Sequence, residues 1–186
     1  ECSHHHHHHP NEKHDHKPPC LNASRWDELH AFAQRTNSKI VFGLSYPASD
    51  NGRWNSLPAQ ALLQYSWAKN YTRQSTLYGV ELGEELSRYK VGTLAFTNYL
   101  AAYHQCAILL QDIYDYINND DDDNGLKRKH RPRLLGPCPG MDWPNLATWF
   151  PSFLQGTRGA LDVAVYHSYN QIQVIPTKIL YLNNTI

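Results

Sequence analysis

Two adjacent carboxylates, Glu84 and Glu85, follow Gly83 at the end of the apolar run Leu77-Tyr-Gly-Val-Glu-Leu82. An acid held at a strand end can protonate a leaving oxygen when its surroundings keep its pKa up. In barrel enzymes the C-terminal strand ends carry the chemistry. The competing reading is a solvated pair of loop charges. No glutamate occurs after Glu85. Of the later carboxylates outside the Asp120–Asp123 run, Asp142 lies in a loop and Asp162 opens a strand at its wrong end. Neither is a credible second catalytic carboxylate.

The elements around this triplet alternate. A helix begins near Asn22 or Ser24, either of which can cap it, with Asp27 and Glu28 in its first turn and Trp26, Leu29 and Phe32 on one face. Lys39–Leu44 is a short strand rich in β-branched and aromatic residues. Pro58 opens a second helix through Ala61, Leu62, Tyr65 and Lys69, since proline suits a first turn. Leu77–Leu82 is the next strand. Thr93 caps a long helix with Phe96, Leu100, Tyr103, Ala107, Leu110 and Ile113 or Tyr114 at helical spacing. Arg133–Pro137 is a third strand. Pro144 opens a short helix through Leu146, Trp149 and Phe150 that Pro151 stops. Leu161–His167 is a fourth strand, and residues 171–186 hold β-rich patches. Four strands alternating with four helices predict an α/β domain with a parallel sheet. No Gly-x-Gly-x-x-Gly follows a strand, which disfavours a dinucleotide fold.

Residues 1–19 are polar and aperiodic, with His4–His9 in a row, and read as a disordered segment. The tract is either natural low complexity or a purification tag, and in both cases would bind nickel or zinc loosely. Residues 20–186 form the domain, interrupted at 118–132 by an Asp-rich and basic surface insertion. Its run Lys127–Arg133 could pair with sulfates; the plainer reading is a solvated loop balanced by the neighbouring aspartates.

The chain has 186 residues, 17 basic and 17 acidic, and a formal net charge of zero. That balance argues against a nucleic-acid partner. No apolar run reaches the roughly 18 residues of a transmembrane segment. The start, Glu1-Cys2-Ser3, has neither an initiator Met nor a signal peptide, and reads as a trimmed precursor or a fragment. The four cysteines lack Cys-x-x-Cys spacing, so a zinc ribbon is disfavoured; Cys106 and Cys138 read as small core residues. Asn-x-Ser/Thr sequons begin at Asn22, Asn70 and Asn183.

Several segments fall in an order that carries a resemblance. They are Cys20-Leu with Arg25-Trp-Asp27, Val41–Leu44, Trp54-Asn-Ser56, Lys69-Asn-Tyr71, Glu81-Leu-Gly-Glu-Glu85, Leu135-Gly-Pro137, and Leu161–Tyr169 ending in His-Ser-Tyr. Over roughly residues 20–170 the chain resembles the heparanase-like family, glycoside hydrolase family 79, in its plant- or alga-like form. The resemblance implies a partial (β/α)8 barrel, whose strands correspond to the third through sixth of the family barrel. It implies hydrolysis of O-glycosyl β-glucuronide bonds in a polysaccharide or proteoglycan glycan. Retaining enzymes of this kind use two carboxyl groups roughly 5–5.5 Å apart, and the route calls on no cofactor and no metal.

By this resemblance Glu85 is the proton donor. Glu84 stands where the family has a sugar-contacting Asn, and Glu81 is structural. His167 and Tyr169 match a His-x-Tyr that contacts substrate or a catalytic carboxylate; read without the family, His167 is a satisfied strand-end histidine. The nucleophile of the family follows its seventh strand and is not matched here, so the chain alone is expected to be inactive, with open strand edges at Lys39–Leu44 and Leu161–His167. The resemblance and the sequons together point to a secreted glycoprotein of the cell wall or extracellular space, or to the lysosome or vacuole, with membrane association left open. The alternatives are a non-catalytic carbohydrate-binding relative, an inactive fragment, or a metal-binding accessory protein built on the His tract.

Overall fold

The computed structural model describes residues 21–46, 53–72, 76–83, 90–115, 131–140, 145–167 and 180–181. The predicted alternation is present: α1 (Ala23–Arg35), β1 (Ile40–Leu44), α2 (Leu57–Ala68), β2 (Leu77–Leu82), α3 (Leu94–Asp115), β3 (Arg133–Gly140), α4 (Leu146–Gly156), β4 (Val163–His167) and β5 (Leu180–Tyr181). The strands lie in the order β1-β2-β3-β4-β5. The first four run parallel, in register Gly43 with Glu81, Glu81 with Leu135, and Leu135 with Val163. β5 pairs antiparallel with β4 at Val163 and Ala164, so the predicted open edge there is covered at those two residues. β1 is the outer strand on the other side, with Val41 at 43% exposure. The segment predicted to be disordered, and residues 118–130 of the insertion predicted at 118–132, lie outside the described residues.

All four helices pack on one face. The main core joins Trp26, Leu63, Tyr99, Tyr103, Trp149 and Phe153 of the helices to Leu44, Val80, Leu82, Leu134 and Ala164 of the strands. A second cluster, Leu135, Cys138, Val163 and Val165, contains no helical residue. Sequential parallel strands with helices on one side are wound like a barrel wall; a doubly wound sheet carries helices on both faces.

Local chemistry explains where the elements start and which face they bury. The Asn22 carboxamide oxygen accepts from the Arg25 N–H at 2.9 Å and fixes the start of α1 at Ala23. Asp27 and Glu28 therefore fall beyond the first turn, where they were expected. The buried face is Trp26, His30 and Ala33, spaced i, i+4, i+7. Leu29 and Phe32, expected beside Trp26, rotate away from it at 3.6 residues per turn and are 44% and 57% exposed. α2 buries Ala59, Leu63 and Ser66 most deeply, and Leu62 and Tyr65 pack partly buried against the same core. It is apolar on most sides, and the choice is made by Ser66, whose hydroxyl accepts the Trp26 indole N–H at 2.8 Å. Thr93 caps α3 as expected, its hydroxyl accepting from the Phe96 N–H at 3.3 Å.

Pro151 does not stop α4 but lies inside it. Its ring removes one backbone donor. The helix continues because Trp149 and Phe153 are buried and stacked at 5.3 Å, and the Ser152 hydroxyl donates to the Thr148 carbonyl at 2.8 Å. β3 runs past the predicted end at Pro137 to Gly140, so Cys138 sits in the strand. Two cations of the basic run are structural. Arg131 donates to both oxygens of Asp162, at 2.8 and 2.7 Å, and the Leu134 N–H donates to the same carboxylate at 2.7 Å. Arg133 lies 5.1 Å from the centre of the Tyr78 ring, with Lys39 at 5.3 Å from the same ring.

Gly79 marks the tightest strand approach. A Cβ there would press on Leu135 Cδ1 and come within 2.8 Å of the Arg133 carbonyl oxygen, which is backbone and cannot swing away. Gly79→Ala is expected to destabilise the domain by about 1–3 kcal/mol. Urea unfolding checks this, and the midpoint should fall with little change in slope.

Candidate active site

The C-terminal ends of β1–β4 form a rim, and its centre is the end of β2. There the Gly83 N–H donates to the Leu44 carbonyl of β1 at 2.9 Å. Gly83 has φ +70, a left-handed conformation that glycine adopts without strain. The chain thus turns out of the sheet at the residue before Glu84. Tyr46, at the end of β1, meets Tyr99 of α3 edge-on at 5.3 Å. Trp54 is buried, and its indole N–H donates to the Ser45 carbonyl at 3.0 Å, which holds the segment 53–56 near the end of β1. The Ser56 hydroxyl accepts from the Gln105 carboxamide at 3.1 Å, which ties that segment to α3.

His167 closes β4 and pairs in register with Gly140. By strand alternation it shares the helix-free face with Val163 and Val165, two strands from Gly83. Glu81 is on that face too, aligned with Leu135, and is half-buried one residue inside Leu82. Glu84, Glu85, Tyr169 and Asp142 lie outside the described residues. Asp162 is spent on Arg131 and Leu134 at the opposite end of β4, as its strand position predicted. Among the described residues no group of three His, Cys, Asp or Glu is placed to hold a metal ion. Cys106 is a free thiol, and both Cys106 and Cys138 are buried. Burial pushes the Cys106 thiol up to about 12, so it is an inert core group.

A second polar cluster sits near the strands' N-terminal ends, where Thr76 precedes β2. The Asp27 carboxylate accepts from the hydroxyls of Tyr65 (3.0 Å) and Tyr71, and from Lys69 at 3.2 Å. These bonds, the one from Tyr71 foremost, hold Asp27 below its ordinary value, while burial raises the Tyr71 phenol. His30 stacks on Tyr71 at 3.7 Å. Its Nδ1 is 2.7 Å from the Thr76 hydroxyl, and that hydroxyl gives its proton to the Tyr71 carbonyl at 3.0 Å. Nδ1 must therefore be the donor. Nε2 is buried without a hydrogen-bond partner among the described residues. A proton on Nε2 would have no acceptor, and burial lowers the His30 pKa to about 4.

A family description, "Glycosyl hydrolase family 79, N-terminal domain", matches residues 1–180. The chain belongs to this family. Among curated family-79 relatives, heparanase-like protein 3 of Arabidopsis thaliana is 30% identical over 159 residues, 81% of this chain and 26% of the relative. Heparanase-like protein 1 of the same plant is 28% identical over 160 residues, again 81% of this chain and 26% of the relative. Baicalin-β-D-glucuronidase of Scutellaria baicalensis is 25% identical over 177 residues, 84% of this chain and 30% of the relative. The chain thus spans less than a third of the length of each of these relatives.

Family-like motifs in the first half meet one another in space. Trp26 and Asp27 of the opening motif bind Ser66, Lys69 and Tyr71 at the end of α2, and Trp54 binds back to Ser45. These residues build the scaffold. The tyrosines of α3 that reach the end of β2 went unremarked in the sequence as hydrogen-bond donors; Tyr99 and Tyr103, one helical turn apart, were the available signal.

The His30 cluster makes stability sensitive to acid. The unfolded histidine takes up a proton below its ordinary value of 6.5, whereas the folded one resists until about 4. Stability is therefore full above 6.5 and falls as pH drops towards 4, by at most about 1.4 kcal/mol per pH unit for one proton. Asp27, with its value lowered, adds loss further into acid. Denaturant melts of His30→Phe are expected to be weaker near neutrality but flatter between pH 6.5 and 4 than those of the parent.

Proposed function

We propose that this chain is one wall of a (β/α)8 barrel in a heparanase-like glycoside hydrolase, contributing four successive βα units as strands three to six. The whole enzyme hydrolyses β-glucuronide bonds in a polysaccharide or proteoglycan glycan by the retaining two-carboxylate route. Glu85 donates the proton to the leaving oxygen, and Glu84, His167 and Tyr169 line the sugar site. A carboxylate elsewhere in the enzyme is the nucleophile. No cofactor takes part. The product follows the secretory route to the cell wall, extracellular space or a lytic compartment.

One observation carries this reading: in a family-79 chain, β2 ends at Leu82 and Gly83 takes a left-handed conformation directly before Glu84-Glu85. The helix-free face that β2 and β4 share, with His167 on it, is the side that a closed barrel turns inward. The names of the relatives, heparanase-like and β-D-glucuronidase, agree with the bond type. Glu84, in place of the Asn expected from the family, favours a second reading as a non-catalytic carbohydrate-binding relative.

Two outcomes test the assignment. In the full-length enzyme, Glu85→Gln is expected to lower kcat/KM on an aryl β-D-glucuronide by about 10²–10⁴-fold. The purified 186-residue chain should give no turnover, because the covalent route needs both carboxylates. An active Glu85→Gln enzyme would remove Glu85 from the role. Glu84 adds a like charge beside the acid and favours its protonated form. Glu84→Asn is therefore expected to move the alkaline limb of the pH–rate profile to lower pH and to tighten sugar binding.

A further inference from the structure

The peptide group between Leu82 and Gly83 is held on both sides. Its N–H donates to Leu44, as described above. Its carbonyl oxygen is 3.1 Å from the Tyr99 hydroxyl and 3.1 Å from the Tyr103 hydroxyl. Each phenol has one proton to give, and a carbonyl has two lone pairs to receive them. Tyr99 and Tyr103 are both fully buried, and burial keeps the Tyr103 phenol protonated.

The reason for this unusual pairing lies in β3. With Glu81 opposite Leu135, the next rung of the parallel ladder would have the N–H of residue 137 donate to the Leu82 carbonyl. Residue 137 is proline and has no N–H. The buried carbonyl would be left unsatisfied, at a cost of about 1–3 kcal/mol. The two tyrosines fill the gap from the helix layer. Gly136 clears their path: it has φ +153, and a Cβ there would strike the Tyr103 hydroxyl and come within 2.8 Å of Tyr103 Cζ.

We propose that Tyr99 and Tyr103 are positioning residues for the proton donor. They fix the plane of the last peptide before Gly83-Glu84-Glu85, and so fix the point from which Glu85 departs. Glu85 is two residues beyond Gly83, and two residues of chain span at most about 7 Å. A shift of the Leu82–Gly83 peptide therefore moves the anchor from which that short reach is measured. A misplacement of about 1 Å at a reacting group can cost 10²-fold in rate. This inference rests on Glu85 as the acid.

The test compares Tyr99→Phe, Tyr103→Phe and the double variant with Glu85→Gln in the full-length enzyme, on an aryl β-D-glucuronide well below the melting temperature of every variant. The double variant is expected to lose about 10–100-fold in kcat with KM within about twofold, and to shift the alkaline limb of its pH–rate profile. Each single variant, with one donor left, should lose only several-fold. Tyrosine variants that melt earlier but keep the parental kcat and pH profile would show a purely structural role and overturn the proposal. If the double variant does not fold, the single variants decide by the same criterion. If Glu85→Gln is as active as the parent, the acid assignment itself fails. If Glu85→Gln is inactive while the tyrosine variants are not, only the positioning role fails.

Discussion

The parallel sheet buries one side under helices, while the other carries a small cluster of β3 and β4 residues and leaves Val41 of β1 exposed. This one-sided packing sets the terms for the rest of the molecule. Residues that face the helices, such as Val80, Leu82, Leu134 and Ala164, are fixed by close packing against large rings. On the other face, Leu135, Cys138, Val163 and Val165 form a cluster of strand residues, and strand alternation puts Glu81 and His167 on the same side. A polar group on that side lies apart from the main apolar core. The helix layer in turn supplies what the sheet lacks, as the tyrosines of α3 do at the end of β2.

The order of elements was legible because each signal was local: Asn22 and Thr93 at helix starts, Pro58 in a first turn, and β-branched runs at the strands. Which face each helix buries was harder to read. In α1 the apolar residues Leu29 and Phe32 are exposed, while His30 is buried by partners 46 and 41 positions away in the chain, Thr76 and Tyr71. Composition carries no mark of such tertiary partners. Pro151 misled because a proline reads as a stop, yet packing of Trp149 and Phe153 outweighs one missing hydrogen bond. β3 outran Pro137 because a strand tolerates a proline where another group takes over the lost rung.

The candidate site divides in the same way. Its carboxylates were legible as a motif at a strand end, and the strand ends where expected. Its support was not, because a carbonyl answered by two side chains from a helix 17 and 21 residues away leaves no local pattern. Much of the family likeness in the first half describes this hidden work. Arg25-Trp-Asp27 and Lys69-Asn-Tyr71 look like recognition motifs in the sequence. In the fold, Lys69 and Tyr71 donate to Asp27, and Trp26 donates to Ser66.

The clamp at Asp162 bears on how the chain tolerates change. One carboxylate holds the Arg131 guanidinium and the Leu134 N–H, gripping the stem of β3 from the neighbouring strand. The start of β3 is thereby set by Arg131, near the end of the basic run, with Leu134 and Asp162 beyond it, and does not depend on how many residues precede Arg131. Loop length is itself cheap in free energy, about 0.6 kcal/mol per doubling. Upstream of that anchor the chain can gain or lose residues, or accept a foreign peptide graft, while β3 keeps its register with β2 and β4.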